Sequence, residues 1–210
     1  MKTLKFQMRT VAAIVTRLVV TISLAFLIQS CTGQSNPEKE VYNEDFKWTI
    51  TIPKNFESVS AEEWGKMQNK GTEAIGKTLG EEVDMNHLKT IFVFKSGQHN
   101  YFESNYQPFD PDTDGDYIEN CNHINDVLLE TFKAQMPDAK IDSTKTVEII
   151  DNLEFQTFKI QVVYPNKMVM RLLMYSRLFD RKEFSVNITY VDEAKGEQML
   201  DSWTKSKFTK

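Results

Sequence analysis

Between Lys145 and Val191 the chain alternates apolar and polar residues at period two through four segments. Asp151-Asn152, Pro165-Asn166-Lys167 and Asp180-Arg181-Lys182 interrupt them as turn-forming groups. In the last segment Phe184, Val186, Ile188 and Tyr190 fall on one face, and Ser185, Asn187 and Thr189 on the other. A strand of this kind sets one face on a core and the other towards water, as strands of an antiparallel meander do. The segment from Met168 to Phe179 is apolar on both faces, with Met170, Leu172 and Met174 on one and Val169, Leu173 and Tyr175 on the other. A strand covered on both sides needs a further layer on each, and Arg171 and Arg177 mark where that cover is incomplete. The pattern predicts an α+β fold: an antiparallel sheet of about six or seven strands with helices packed on its faces.

The remaining elements attach to this sheet. Phe46, Trp48, Ile50 and Ile52 alternate with Lys47, Thr49 and Thr51, which predicts a first strand stopped by Pro53. Ser60 with Glu63 forms a capping-box pattern and opens a helix with Trp64, Met67, Gly71, Ile75 and Leu79 on one face. Gly65, Gly71 and Gly76 each cost about 1 kcal/mol relative to alanine inside a helix, so this should be the weakest element. Close packing or fraying is one reading of those glycines, and a mobile lid over a binding surface is the other. Leu88 to Ser96 and Asn100 to Gln107 predict a hairpin around Gly97-Gln98-His99. After a loop from Phe109 to Asp116, a second helix runs from about Tyr117 to Met136, capped by Asp116 with Glu119 and closed by Pro137. Asp192 caps a last helix that presents Met199, Leu200 and Trp203 to the core and ends near Phe208.

The first thirty residues have a different character. Lys2, Lys5, Arg9 and Arg17 precede or flank the apolar run Leu18 to Ile28, which is too short to span a membrane but suits the core of a signal peptide. Leu27-Ile28-Gln29-Ser30-Cys31 resembles a bacterial lipobox, with an aliphatic residue at −3 and a small one at −1; Gln29 departs from the commonest pattern. The resemblance implies removal of residues 1–30 and lipidation of Cys31; an ordinary secretory signal is the alternative. Met8 is a second candidate start. Thr32, in place of a retention aspartate, points to the outer membrane, facing the periplasm. Residues 31–45 are then expected as the lipidated cysteine and a polar tether of ~20 Å root-mean-square reach, and 46–210 as a single domain. The full chain carries −5, and loss of the four leader cations leaves about −9, which disfavours nucleic-acid binding.

The order of elements then becomes recognisable. A strand ending in Ile52-Pro53, a helix, a hairpin leading to Asn105-Tyr106-Gln107-Pro108, a long helix and the meander resemble the PsbP-like/DcrB-like superfamily. The last strand with Asn187-Ile188-Thr189-Tyr190 and the closing Ser206-Lys207-Phe208 are the most specific echoes. The resemblance implies a sandwich of helices and antiparallel sheet. It also implies a role in binding or scaffolding: the fold serves an extrinsic photosystem II protein, a nuclear-import factor and many bacterial lipoproteins. No catalytic motif comes with it, and fold alone does not fix function.

The residues that carry chemistry are few. Asp110-Pro111-Asp112-Thr113-Asp114-Gly115-Asp116 has the spacing of the first half of a calcium loop, where alternate carboxylates converge on a hard cation. The twelfth position, a bidentate glutamate in a complete loop, is Cys121. Weak calcium binding through Asp110, Asp112, Asp114 and Asp116 is one expectation, and a solvated loop feeding a helix N-terminus is the other. His87, His99 and His123 share no zinc-ligand spacing with one another or with cysteine. Cys121 shares a helical face with Tyr117, Ile124, Leu128 and Phe132, which predicts a packed thiol in preference to a reactive one. The sequence has no G-x-S-x-G, no glycine-rich phosphate loop and no H-E-x-x-H, so no enzyme is expected. The functional expectation is a membrane-anchored, non-enzymatic module of the cell envelope that binds a protein partner and needs no cofactor. The alternative is an envelope lipoprotein that binds a small ligand or calcium.

Overall fold

The alternating half of the chain becomes four long strands of one antiparallel sheet. The computed structural model describes residues 36–80 and 87–209; the leader, its candidate starts, Cys31 and Thr32 lie outside the described residues. The strands are β1 (Lys39–Asn43), β2 (Trp48–Ile52), β3 (Glu57–Ser58), β4 (Lys89–Lys95), β5 (Tyr101–Pro108), β6 (Lys140–Ile150), β7 (Leu153–Val163), β8 (Val169–Phe179), β9 (Lys182–Tyr190) and β10 (Lys207–Phe208). The helices are α1 (Ala61–Leu79), the single turn α2 (Pro111–Asp114), α3 (Tyr117–Gln135) and α4 (Glu193–Thr204). A seven-stranded sheet runs in the order β3-β4-β5-β9-β8-β7-β6, and a three-stranded one in the order β1-β2-β10. All pairings are antiparallel.

Local chemistry explains the joints. Asp151 and Asn152 both take positive φ, 48° and 63°, the backbone that a two-residue hairpin between right-twisted strands requires. Ser60, Asp116 and Asp192 each accept a hydrogen bond from the backbone N–H three residues on, at 3.2, 2.9 and 3.2 Å, and so start α1, α3 and α4 as the sequence predicts. Asn100, buried at the start of the β5 segment, uses Oδ1 to accept from the N–H groups of Val191 and Asp192 at 3.1 and 3.0 Å. That clamp fixes where β9 ends and α4 begins.

The alternation sorts into two faces. On the inner face Phe184, Val186 and Ile188 of β9 meet Trp48, Ile50 and Ile52 of β2, with Met199 and Trp203 of α4. The other face carries α1 and α3, and there Phe158, Ile160 and Val162 of β7 pack with Leu128, Leu129 and Phe132. β8 is covered from both sides, by Leu173 and Tyr175 within and by Met170, Leu172 and Met174 beneath the helices. The expectation of a sheet with helices on its faces is met. The small second sheet is an addition that the sequence pattern did not indicate.

Several boundaries differ from the sequence expectation; β6, for one, begins at Lys140, five residues before the alternating stretch. Residues 31–45 were expected as tether, but Lys39 to Asn43 pair residue by residue with Ile52 to Trp48. The Asn55 N–H also donates to the Asn36 carbonyl at 2.9 Å, and the compact unit starts at Asn36 rather than at residue 46. A strand held by its backbone ladder, with only Val41 on the core, leaves almost no apolar signature. At the other end the last helix stops at Thr204, and Phe208 belongs to β10, opposite Trp48.

Two glycines test the packing. A Cβ added at Gly196 of α4 would lie 2.4 Å from the Tyr190 ring, whereas one at Gly71 of α1 would meet nothing within 4 Å. Gly196→Ala should lower the unfolding free energy by about 1–2 kcal/mol, overpacking outweighing helix propensity. Gly71→Ala should slow amide exchange within α1 and leave the denaturation midpoint unchanged or higher. Urea titration and hydrogen exchange read the two effects.

Candidate functional site

On the helix side the centre of the large sheet is polar. Glu103, Asn105 and Gln107 of β5 stand opposite Asn187, Ser185 and Glu183 of β9, and Ser176 of β8 stands opposite Ser185. The alternation that makes the inner face of β9 apolar necessarily places these polar residues beneath α1 and α3. Most buried polar groups are hydrogen-bonded, and two carboxylates organise those found here.

Glu103 is 7% exposed and accepts from Asn105 Nδ2 at 2.8 Å and from Asn187 Nδ2 at 2.7 Å. Burial pushes its carboxyl above the ordinary value of 4.5; the Asn187 and Asn105 amides and the Trp64 indole of α1 pull the other way. The Trp64 N–H falls outside hydrogen-bond geometry, and Asn187 Oδ1 likewise has no partner. Trp64 and Tyr101 roof this end of the band, their ring centroids 6.1 Å apart.

Glu183 anchors the second group. It accepts from Gln107 Nε2 at 2.8 Å and from Ser176 Oγ at 2.9 Å, and Ser176 in turn lies 2.6 Å from the Tyr117 hydroxyl of α3. Burial pushes the Tyr117 phenol far above its ordinary value. Cys121, 7% exposed, lies 4.0 Å from both Ser176 Oγ and Glu183 Oε1. Burial raises the thiol as well, so the neutral form prevails and the cysteine packs. Cysteine, serine and carboxylate thus lie together, with 4.0 Å contacts to the sulfur and a thiol that burial favours in its neutral form.

The sequence-selected residues are distributed elsewhere. His87, His99 and His123 are all exposed. The acidic loop folds as α2 and gives its carboxylates separate duties. Asp110 Oδ1 accepts from the Asp112 N–H at 3.2 Å, Asp114 Oδ2 from the Asp110 N–H at 2.7 Å, and Asp116 caps α3. Arg181 Nη2 lies 3.3 Å from Asp110 and 3.9 Å from Asp112. Among the described residues no three His, Cys, Asp or Glu side chains are grouped to hold a metal ion. No described helix is long and apolar enough to cross a membrane.

The polar band was not found from the sequence. Its signal was the set of polar residues in β5, where Glu103, Asn105 and Gln107 fall on one face of a strand whose other face is partly apolar. A surface groove of about 430 Å³ lies apart from it, between the small sheet and α4, lined by Glu38, Glu40, Lys54, Asp201 and Lys205 among others. It is open and of mixed charge, unlike the apolar pocket that a small organic ligand prefers.

Two outcomes follow from the buried groups. The unfolded chain releases the Glu103 proton near 4.5, and the folded chain only at higher pH. The folded state therefore holds more protons between those values, and this group's contribution to stability falls as pH rises through them. Glu103→Gln has no such loss, so its stability relative to the wild type should improve from about pH 4 to about pH 7.5, measured by urea titration at both. In a Cys31→Ser background, iodoacetamide should leave Cys121 unlabelled in the native protein and label it fully in denaturant, as mass spectrometry would show.

No family model matches this chain, and no curated protein matches it. Among solved structures, the solution structure of cyanobacterial PsbP (CyanoP) from Synechocystis sp. PCC 6803 is similar, with a TM-score of 0.52 at 10% sequence identity. The match covers 86% of this chain and 98% of the cyanobacterial one. At that identity the likeness is one of architecture, and it agrees with the layered antiparallel sheet described above: the chain has a PsbP-like fold.

Proposed function

We propose that the protein is a non-enzymatic docking module of the bacterial cell envelope, anchored through lipid on Cys31 and contacting a protein partner with α1. The observation that carries this reading is that none of the nineteen residues of α1 is buried. A helix ordinarily buries one stripe to offset its ordering cost. Here Met67 and Leu79 remain exposed. The attachments of α1 are mostly polar: Glu63 to Lys95 at 2.5 Å, Gln68 to Thr90 at 3.4 Å, and Thr78 to Thr131 at 2.9 Å. A partner that covered Met67 and Leu79 would supply the missing burial.

The inner core supports docking over ligand capture. It is occupied by aromatic rings in contact, with Phe94 and Phe102 stacked at 4.6 Å and Phe155 against Trp203 at 5.1 Å. The lipid anchor rests on Leu27 to Cys31 in the sequence.

Crosslinking in cells followed by affinity purification tests both parts, using the wild type, Cys31→Ser and the double variant Met67→Glu/Leu79→Glu. Recovery of one stoichiometric protein with the wild type, with loss in the double variant while membrane association persists, is the expected result. Equal recovery with the double variant would remove α1 as the contact. A Cys31→Ser protein that stays in the membrane fraction would remove the anchor.

A further inference from the structure

One end of the large sheet is β6. Among the described residues it pairs with β7 alone, through eleven consecutive residue pairs without a register shift. Eleven residues present a straight edge of roughly 36 Å whose outward N–H and C=O groups can accept another strand. Native edges are usually blunted by short length, proline, bulges or outward lysines. β6 is long, has no proline and no bulge, and its central lysine is turned away. Lys145 Nζ reaches back to Asp126 Oδ1 of α3 at 2.7 Å and to the Asn122 carbonyl at 3.4 Å. Beyond that lysine Val147 and Ile149 are 53% and 69% exposed, the latter the most exposed large apolar side chain described.

The sequence of β6 says what fits this edge. Two copies paired antiparallel about a two-fold axis keep each face continuous only when facing residue numbers share parity, so few registers are allowed. Centring on Lys145 sets two lysines opposite each other and Asp142 opposite Glu148, both repulsive. Centring on Thr144 instead sets Lys140 opposite Glu148 and Ile141 opposite Val147, with no like charges facing. The ion pairs that now hold Lys140 to Asp142 at 3.1 Å and Glu148 to Lys159 at 2.5 Å are partly exposed, and pairs of that kind exchange partners at little cost.

We propose that β6 is a self-association edge. It pairs antiparallel with β6 of a second copy, centred on Thr144, and joins the two seven-stranded sheets into one across the interface. Ile141 and Val147 of each copy meet across the seam on the side that carries α3, and Ile149 extends the apolar strip.

Cysteine crosslinking in the full chain, in the cells that make it, tests the register. Thr144 and Thr146 are both exposed on one strand. In the proposed pair the two Thr144 Cα atoms lie about 5 Å apart, within disulfide reach, whereas the two Thr146 Cα atoms are separated by roughly 14 Å. After mild oxidation, Thr144→Cys should give a covalent dimer on non-reducing gels at about tenfold or more the yield of Thr146→Cys, which shares any effect of substitution in β6. Adding Val147→Asp to Thr144→Cys should abolish that dimer, and the wild type reports any background from the native cysteines. Equal yields from the two single variants, or no dimer from Thr144→Cys, would overturn the proposal; the latter is the result expected if a strand of another protein occupies this edge.

Discussion

Trp203 ties the layers of this fold together. It sits on the last helix, fully buried, with ring centroids 5.1 Å from Phe155, 5.4 Å from Tyr175 and 6.0 Å from Trp48. One side chain thus joins α4, the small sheet and two strands of the large sheet. Aromatic rings bury large areas and gain further from edge-to-face contact, so a cluster of this kind dominates the energetics of a domain this size. The indole N–H groups of Trp48 and Trp203 are buried without a partner, a cost that the surrounding ring contacts must outweigh. The small sheet exists because of this cluster: β10 brings Phe208 back beside Trp48, and β2 carries Trp48 to the centre.

The opposite side of the large sheet is built on another principle. Towards β7 it is apolar and α3 seats firmly on Phe158 and Ile160. Towards β5 it turns polar, with Glu103 and Glu183 held by amides and hydroxyls, and there α1 lies without a buried residue. Replacing apolar contact by hydrogen bonds contributes little net stability, because each bond exchanges for one with water. A helix over such a surface gains little from the contact. The polar band is thus the surface beneath α1, and burial there keeps the Cys121 thiol and the Tyr117 phenol in their neutral forms.

Much of the fold was legible because the signals were local. The period-two runs placed β7, β8 and β9, the Asp151-Asn152 and Asp180-Arg181-Lys182 groups placed their turns, and Ser60, Asp116 and Asp192 placed three helix starts. Gly65, Gly71 and Gly76 set α1 apart in the sequence, and in the structure none of its residues is buried. What escaped was β1, whose Lys39-Glu40-Val41-Tyr42-Asn43 has no alternation to speak of and is held by pairing with β2. In the acidic loop the D-x-D-x-D-G spacing is shared by calcium loops and by helix caps, and the structure shows its carboxylates capping backbone N–H groups and facing Arg181.

By itself the sequence determined which residues share a face, where helices begin, and the class of fold, because these follow from spacing along one stretch of chain. Only the tertiary structure decided that Asn105 and Asn187 meet at the buried Glu103, and that among the described residues β6 ends the sheet with no strand beyond it. It alone also decided that α1 rests on polar ground. Each of these depends on which strands become neighbours, and partners such as β5 and β9, eighty residues apart, are chosen by packing of the whole core. No local pattern encodes that choice.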